Sequence, residues 1–504
     1  MTRDRARHHI LRHGVWTVAF GLLVAACSGD EVAAGGLPSG VAQAGTGSQP
    51  MAAGPASGAA GGTSLPLQPV TPAPMGGPQQ GPDQQAAPPL PCDVARVVSS
   101  KCGNCHGASP VGGAPMPLVS AADFGASLKS LRTAPGETME VAKLVKLRIN
   151  DAAKPMPPGA LLPEAERNML NGWLDRGHPA GVEADRACAP SQPTMPVEDK
   201  PRPTQAGVTC YKFASHGQPQ PGDTSPYGVI PGEHYVSFYY TAPWKEPSEL
   251  VSWRTLYDNR KVLHHWLFYS TVGATMDGTF APSIGTHIGD AANLFAGWAV
   301  GGNDVNMPPE VGLKLPAPGE GLLLEWHYYN ASAAPVEDRS AVELCTVPAG
   351  TLKHTASMTW LGTENFNGPL GMPPRVESKF SGTCLPGRAG MAGDEPIHIF
   401  TLWPHMHTYG RHMRSVVNRV DGKTEEVFNK PFDFNYQITY DAGIDLYPGD
   451  TITSTCTFMN TSDANVAFGP STEQEMCYQF AFAYPAGALE NGTISLVGAT
   501  NTCW

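Results

Sequence analysis

The chain has 504 residues, only 15% of them charged, with 56 Gly and 49 Pro, a composition that suits extended, turn-rich structure better than helical bundles. This length excludes a single small domain and predicts about two to four domains. The net charge of -12, without a Lys/Arg run beyond the first residues, argues against nucleic acid as a partner and favours a small-molecule substrate.

The N-terminus predicts export. Several Arg residues precede an apolar run over residues 15–26, which is too short to span a hydrocarbon core of roughly 30 Å and is typical of a signal peptide over residues 1–26. The run ends Val24-Ala25-Ala26-Cys27, which resembles the lipobox of bacterial lipoproteins. We therefore expect lipidation of Cys27 and attachment to a membrane surface of the bacterial cell envelope, periplasmic or outer-membrane. Ordinary secretory cleavage after Ala26 is the alternative, and it also exports the protein.

Composition divides the rest of the chain. Residues 27–91 are mostly Gly, Ala, Pro, Ser, Gln and Thr without an aromatic residue, and they predict a lipidated, disordered linker. Residues 92–188 carry helical periodicity and predict a small all-α domain, followed by a linker over 189–203. Short alternating runs then predict two tandem antiparallel β-sandwich domains, jelly-roll-like, over 204–350 and 351–504.

The helical domain contains Cys102-Gly103-Asn104-Cys105-His106, the C-x-x-C-H pattern in which two thiols attach haem and the histidine supplies an axial ligand. Chance gives about 0.008 such motifs at this composition, so one covalently bound haem is predicted. A zinc site is the alternative, but the domain offers only Cys92, Cys188 and His178 as further ligands.

The second axial ligand is predicted to be Met156, which lies in a Pro-stiffened turn, with Met116 as the other candidate; either could instead be a loop methionine facing solvent. The segment is similar to small bacterial c-type cytochrome domains. That resemblance implies electron transfer, and His/Met ligation raises the haem potential relative to His/His.

A three-imidazole set is the first candidate metal site in the β region. His264 and His265 are consecutive in a strand-like run, so their side chains would normally face opposite ways, and the strand must distort if both bind one ion. His327 lies in another strand-like run. Three imidazoles suit Cu or Zn, and the alternative is a set of strand histidines whose hydrogen bonds are satisfied.

A second set includes sulfur. His405 and His407 are spaced i and i+2 and lie on one face of a strand. Met476 could supply a third donor, and a thioether beside two imidazoles favours Cu(I) over Zn because soft sulfur prefers the softer ion.

The region from residue 204 to 504 resembles the copper type II, ascorbate-dependent monooxygenases, which include the peptidylglycine and dopamine hydroxylating enzymes. The resemblance rests on segments in family order: Val262-Leu263-His264-His265, residues 296–302, residues 325–330, His405-Met406-His407 with Gly410-Arg411, and residues 466–469 through Glu475-Met476-Cys477.

The resemblance implies two copper ions. His264, His265 and His327 would bind the electron-transfer copper, and His405, His407 and Met476 would bind the copper where dioxygen and substrate meet. Ascorbate is the reductant of animal relatives; here the haem domain is the expected electron donor, with ascorbate or another reductant as the other source.

Two departures from the family narrow the substrate. The peptide-amidating members bind a substrate carboxylate with an Arg and a Tyr at the positions occupied here by Trp403 and Phe480. Neither side chain can neutralise a carboxylate, so we expect a small, apolar or aromatic substrate and no activity on glycine-extended peptides. In a third departure, Val300 replaces the Pro of the family's Trp-x-Pro-Gly.

Eight cysteines remain after those assigned to lipid and haem, an even number consistent with an oxidising exterior, although sequence alone allows 105 pairings. We pair Cys92 with Cys188. The resemblance implies the other three bridges: Cys210 with Cys345, Cys384 with Cys503, and Cys456 with Cys477.

The sequence thus predicts an oxidoreductase, a copper-dependent monooxygenase that hydroxylates a C–H bond of a small organic substrate with O2. The first alternative is a non-catalytic exported copper and haem electron-transfer lipoprotein. The second is an adhesion-type β-sandwich whose histidines are incidental.

Overall fold

The computed structural model describes residues 87–129, 137–152, 155–158, 161–188, 202–204, 206–271, 276–283, 292–434 and 436–490. The predicted signal peptide, lipidation site Cys27 and most of both linkers lie outside these ranges. The described residues all belong to one compact unit. No helix in the described ranges has both the length and the apolar character needed to cross a bilayer.

The first part of this unit is helical. It contains α1 Cys92–Lys101, α2 Gly103–His106, α3 Ala121–Gly125, the short strands β1 Ser127–Leu128 and β2 Met139–Glu140, α4 Val141–Asn150, α5 Glu164–Asp175 and a 3-10 helix Glu183–Cys188. In α5, Leu170, Trp173 and Leu174 recur at helical spacing and are buried, while two Glu residues in the first turn oppose the positive end of the helix dipole. The helices α1, α3, α4 and α5 share one hydrophobic core.

The remaining described residues are mostly strands. The first half contains β3 Thr209–Ala214, β4 Tyr227–Val229, β5 Gly232–Thr241, β6 Ser248–Leu256, β7 Leu263–Thr271, β8 Phe280–Ser283, β9 Ala292–Ala299, β10 Val305–Asn306, β11 Val311–Lys314, β12 Gly321–Asn330, β13 Val336–Asp338 and β14 Ala341–Pro348. The second half contains β15 His354–Thr363, a 3-10 helix Gly368–Leu370, β16 Glu377–Cys384, β17 Ile397–His405, β18 Gly410–Asn418, β19 Thr424–Pro431, β20 Tyr440–Leu446, β21 Thr451–Met459 and β22 Cys477–Tyr484. The predicted strand-rich fold is confirmed.

Three large sheets organise these strands. A five-stranded sheet has the order β8-β5-β12-β7-β9, and a four-stranded sheet has the order β16-β21-β18-β19. Between them runs a sheet of order β20-β17-β22-β15-β11-β6-β14-β3, in which β10 also pairs with β6.

The central sheet differs from two independent antiparallel sandwiches, because it continues from the first half into the second. The junction is a parallel pair in which Val311 of β11 lies opposite His354 of β15. Sequence periodicity reports which face of a strand is buried but not which strand lies beside it, so this junction had no signal in the sequence. It holds the two halves together through backbone hydrogen bonds.

Candidate metal centres

A β-bulge brings the first three histidines together. His265 of β7 lies directly opposite His327 of β12, but the next residue, Tyr328, pairs with Leu263. His264 is therefore an extra residue in β7, and a bulge of this kind re-aims a side chain that would otherwise point to the opposite face. The local distortion that two consecutive ligands require is present.

The three imidazoles are close enough to share an ion. Nδ1 of His265 lies 3.3 Å from Nδ1 of His264 and 3.2 Å from Nδ1 of His327. One ring nitrogen from each histidine falls within 4.8 Å of the others. Nitrogens about 2.0–2.1 Å from one ion have this mutual separation, so the trio fits a single metal ion.

Neighbouring side chains fix the orientation of His327. Its ring stacks on Tyr235 with centroids 4.1 Å apart and planes 8° apart. Nε2 lies 2.9 Å from the Glu233 carboxylate, a contact whose angle falls outside hydrogen-bond geometry. The stacking on Tyr235 therefore orients the ring, and the Glu233 carboxylate adds an electrostatic contact.

The second pair of histidines lies at the end of β17. His405 Nδ1 is 2.9 Å from Gln437 Oε1, and His407 Nδ1 is 3.1 Å from the carbonyl oxygen of Gln474. Each Nδ1 faces an acceptor oxygen and therefore donates, which leaves Nε2 of both rings as a lone-pair donor for a metal ion.

Met476 joins this pair in a common cavity. It immediately precedes β22, is 6% exposed and lines the cavity together with His405 and His407. Two imidazoles and a thioether are a donor set that suits Cu(I). Of the first trio, His265 lines the same cavity.

Glu475 links the two segments that carry the second set. Its buried carboxylate accepts backbone N–H groups from His407 at 2.7 Å, Tyr409 at 2.5 Å and Met476 at 3.3 Å. Burial raises the pKa of Glu475 to about 8, while these donors and the Arg411 charge act in the opposite direction. Glu475 was given no role from the sequence, although a carboxylate beside the candidate ligand Met476 could have pointed to it.

The disulfides follow the predicted pattern. The structure contains the bridges Cys92–Cys188, Cys210–Cys345 and Cys456–Cys477, and the last ties the start of β22, beside Met476, to β21. Cys384 is also disulfide-bonded, and its predicted partner Cys503 lies outside the described residues.

The C-x-x-C-H motif presents two thiols and an imidazole, the groups that haem attachment would use. Cys102 and Cys105 are thiols rather than disulfides, and burial raises the pKa of each to about 12, with Asp433 adding to the effect at Cys105. His106 is held through Nδ1, 2.8 Å from the Met116 carbonyl, and burial lowers its pKa. A neutral imidazole whose Nε2 is the remaining donor fits an axial ligand.

The ligands that a zinc site would need are engaged elsewhere. Cys92 and Cys188 are bridged to each other, and His178 Nε2 lies 2.9 Å from Glu140. Of the two candidate axial methionines, Met116 is in the segment that holds His106, whereas Met156 lies in the turn between α4 and α5, where its N–H donates to the Arg148 carbonyl. The choice of Met156 stays a prediction.

Burial keeps the five imidazoles of the two sets neutral. It lowers the pKa of His264 and His405 to about 4 and that of His407 to about 3, and it lowers the pKa of His265 and His327 further, with neighbouring imidazoles adding to the shift. Neutral imidazole is the form that binds metal, so both sets are ready for a cation.

This burial predicts an acid-sensitive metal-free protein. Below the ordinary histidine pKa of 6.5 the unfolded chain binds protons that the folded chain does not, so stability falls as the pH drops from about 6.5 towards 4. Each unit by which folding lowers the pKa of one histidine corresponds to about 1.4 kcal/mol of stability. Together, the buried histidines should cost the folded protein several kcal/mol over this pH range. Thermal unfolding of the metal-free protein across this range checks the prediction. His407→Gln should make the dependence shallower, and parallel curves for the two proteins would contradict it.

Comparisons with known proteins agree with the donor chemistry. Residues 355–496 match the family model of the copper type II ascorbate-dependent monooxygenase, C-terminal domain. DBH-like monooxygenase protein 1 of Gallus gallus is 28% identical over 247 residues, covering 45% of this chain and 40% of the relative. Putative DBH-like monooxygenase protein 2 of Homo sapiens is 28% identical over 253 residues, covering 46% of this chain and 49% of the relative.

Tyramine beta-hydroxylase of Caenorhabditis briggsae is 27% identical over 210 residues, covering 40% of this chain and 35% of the relative. The chain thus spans about half the length, or less, of these curated relatives. Among solved structures, N-glycanase F covers 55% of this chain and 95% of its own at 11% identity, with a TM-score of 0.26, too low to support an argument. The family match and the relatives support the resemblance carried by the histidine and methionine motifs.

Proposed function

We propose that the chain is a copper-dependent monooxygenase that hydroxylates a C–H bond of a small organic molecule. The reaction consumes R–H, O2, two electrons and two protons and yields R–OH and water. The observation that carries the proposal is the pair of candidate ligand sets, three imidazoles in one and two imidazoles with a thioether in the other. One member of the first set, His265, and all three members of the second line the same cavity. Two one-electron centres match a two-electron requirement.

Copper, when bound, supplies the one-electron reduction of dioxygen that organic side chains cannot perform. The chain contributes positioning. Gln437 and the Gln474 carbonyl orient His405 and His407, and Glu475 fixes the backbone between His407 and Met476. The aromatic walls of the cavity exclude water from the reacting centre and receive the substrate.

The proposal includes electron delivery by the fused haem domain. The haem-binding motif lies against the β region: the N–H of Gly113 donates to the Lys261 carbonyl at 2.7 Å, and Val111 packs against the first β core. Asp433 lies near enough to Cys105 to raise its pKa. These contacts involve Cys105 and the loop over residues 107–113 that follows the motif, called the motif loop below, which favours transfer at this point.

The segment after Asp433 connects the motif to both histidine sets. The Phe434 ring is 5.3 Å from that of His264 and 6.4 Å from that of His407. Phe434, which follows Asp433 in the chain, therefore lies beside a histidine of each set. An external reductant, ascorbate or another one-electron donor, would refill the haem.

Export completes the proposal. The disulfides require an oxidising compartment, and a lipid on Cys27 would hold the enzyme at a membrane surface of the bacterial envelope. Recovery of the protein in the membrane fraction, and loss of that membrane attachment in Cys27→Ser, would support the anchor. Soluble secretion of the unchanged protein would contradict it.

The function is tested with full-length protein expressed in a bacterial periplasm. We expect two Cu and one covalent haem per chain, and oxygen uptake that rises when an apolar aromatic substrate is added. If the protein holds two Cu and one haem but shows no substrate-dependent oxygen uptake with a broad panel of substrates, the non-catalytic electron-transfer protein is favoured instead. A copper content near zero after reconstitution would overturn both.

A further inference from the structure

Three aromatic side chains lie side by side on one face of the central sheet. Trp360 of β15 and Trp403 of β17 are both direct cross-strand partners of Phe480 in β22. Directly opposed residues of antiparallel strands share a face, and the rings are 6.4 Å and 5.0 Å from that of Phe480. Two residues further along the same face, His405 lies opposite Tyr478.

The row and the second ligand set therefore line one cavity. Trp360, Trp403 and Phe480 lie on its wall beside His405, His407 and Met476. A molecule against the aromatic row would have part of its skeleton near the ligand set, which is the arrangement a hydroxylation site needs.

Two indole N–H groups of this row are buried without an acceptor. Nε1 of Trp403, whose side chain is 3% exposed, and Nε1 of Trp360 have no hydrogen-bond partner. By contrast Trp298, on the same cavity wall, donates to the Gly302 carbonyl at 2.8 Å. An unpaired buried donor is costly, so two of them on residues that line one cavity call for an acceptor that the protein does not supply.

The side chains that line the cavity limit the class of molecule that can supply this acceptor. The described residues that line the cavity include no Asp, Glu, Lys or Arg. A buried ammonium or carboxylate would have no oppositely charged side chain there, and burying a charge without such a partner is costly. The Tyr478 hydroxyl donates to Glu364 at 2.6 Å and so is engaged elsewhere.

We propose that the cavity binds an uncharged, largely apolar molecule carrying an acceptor oxygen, such as a ketone or an ether, and that the indole N–H groups of Trp403 and Trp360 bind that oxygen. This inference rests on the proposed function for the role of the molecule as substrate, but the binding itself does not need turnover. The tryptophans are positioning residues: they orient the skeleton so that a C–H bond faces the second ligand set.

The test measures binding, by calorimetry, to the full-length copper-loaded protein under argon, where no hydroxylation takes place. Acetophenone is compared with ethylbenzene, which has similar size but no acceptor, and with 1-phenylethylammonium and benzoate, which carry charge. We expect acetophenone to bind about five- to tenfold more tightly than ethylbenzene. Each of Trp403→Phe and Trp360→Phe should reduce that ratio by roughly threefold, and the double variant should remove it while ethylbenzene affinity stays the same.

Trp326→Phe is the matched control. Its Nε1 is also buried without a partner, but Trp326 does not line the cavity, so its replacement should leave the ratio unchanged. Acetophenone binding no tighter than ethylbenzene, or either ion binding more tightly than acetophenone, overturns the inference. Tight ketone binding by a protein that shows no substrate-dependent oxygen uptake would retain the binding site and reject the monooxygenase.

Discussion

Met476→Leu is expected to lower substrate-dependent oxygen uptake by at least about 100-fold, because replacing even the groups that support a metal ligand typically costs 10- to 100-fold. Leucine and methionine have similar volumes, so the buried site should stay folded at a cost below about 1.5 kcal/mol. His405 and His407 remain, so part of the copper at this set should remain as well. Oxygen consumption, copper content and X-ray absorption of the cuprous protein are the measurements, and the copper–sulfur signal should vanish.

Met413→Leu provides the control for this substitution. Met413 is fully buried in the second β core, on β18, and does not line the cavity. Its replacement should leave oxygen uptake and the copper–sulfur signal as in the parent protein. Unchanged turnover in Met476→Leu would remove the thioether from the catalytic role and with it the strongest argument for copper over zinc.

The ligand residues could be predicted from the sequence because their chemistry is local. The i, i+2 spacing of His405 and His407 and the C-x-x-C-H motif each specify a geometry within a few residues. His264 and His265 are consecutive, and consecutive side chains of a regular strand face opposite sides. From the sequence one could infer only that the strand must distort if both bind one ion. The bulge that resolves the conflict depends on how β12 pairs with β7, which is a long-range property.

The support around the ligands could not be predicted for the same reason. Gln437 and Glu475 act on His405 and His407 from segments far along the chain, and no periodicity connects them. Trp403 and Phe480 were recognised as departures from a carboxylate-binding site, but their alignment with Trp360 follows from the pairing of β15, β22 and β17. Local patterns specify donors, and tertiary pairing specifies their surroundings.

Gly113→Ala is expected to slow the delivery of electrons from the haem domain to the first ligand set. A Cβ at Gly113 would lie 2.2 Å from Cδ1 of Tyr329, so either the Tyr329 ring or the loop that holds Gly113 must shift, and the contact between them is disturbed. Electron transfer slows as the separation between donor and acceptor grows, so we expect a severalfold decrease in rate. Stopped-flow absorbance of the reduced haem, mixed with substrate and oxygen, measures the rate.

Gly177→Ala separates this effect from backbone strain. Gly177 has φ +79°, close to the +85° of Gly113, but a Cβ there meets nothing within 4 Å. Both alanine variants therefore carry a similar left-handed penalty of about 1–2 kcal/mol, and only Gly113→Ala disturbs the contact with Tyr329. Covalent haem content and melting temperature should match between the two. If the Gly113→Ala and Gly177→Ala proteins both oxidise their haem at the parent rate, the electrons do not pass through the Gly113–Tyr329 contact. If the His264→Ala protein also oxidises its haem at the parent rate, the three-histidine set does not receive them.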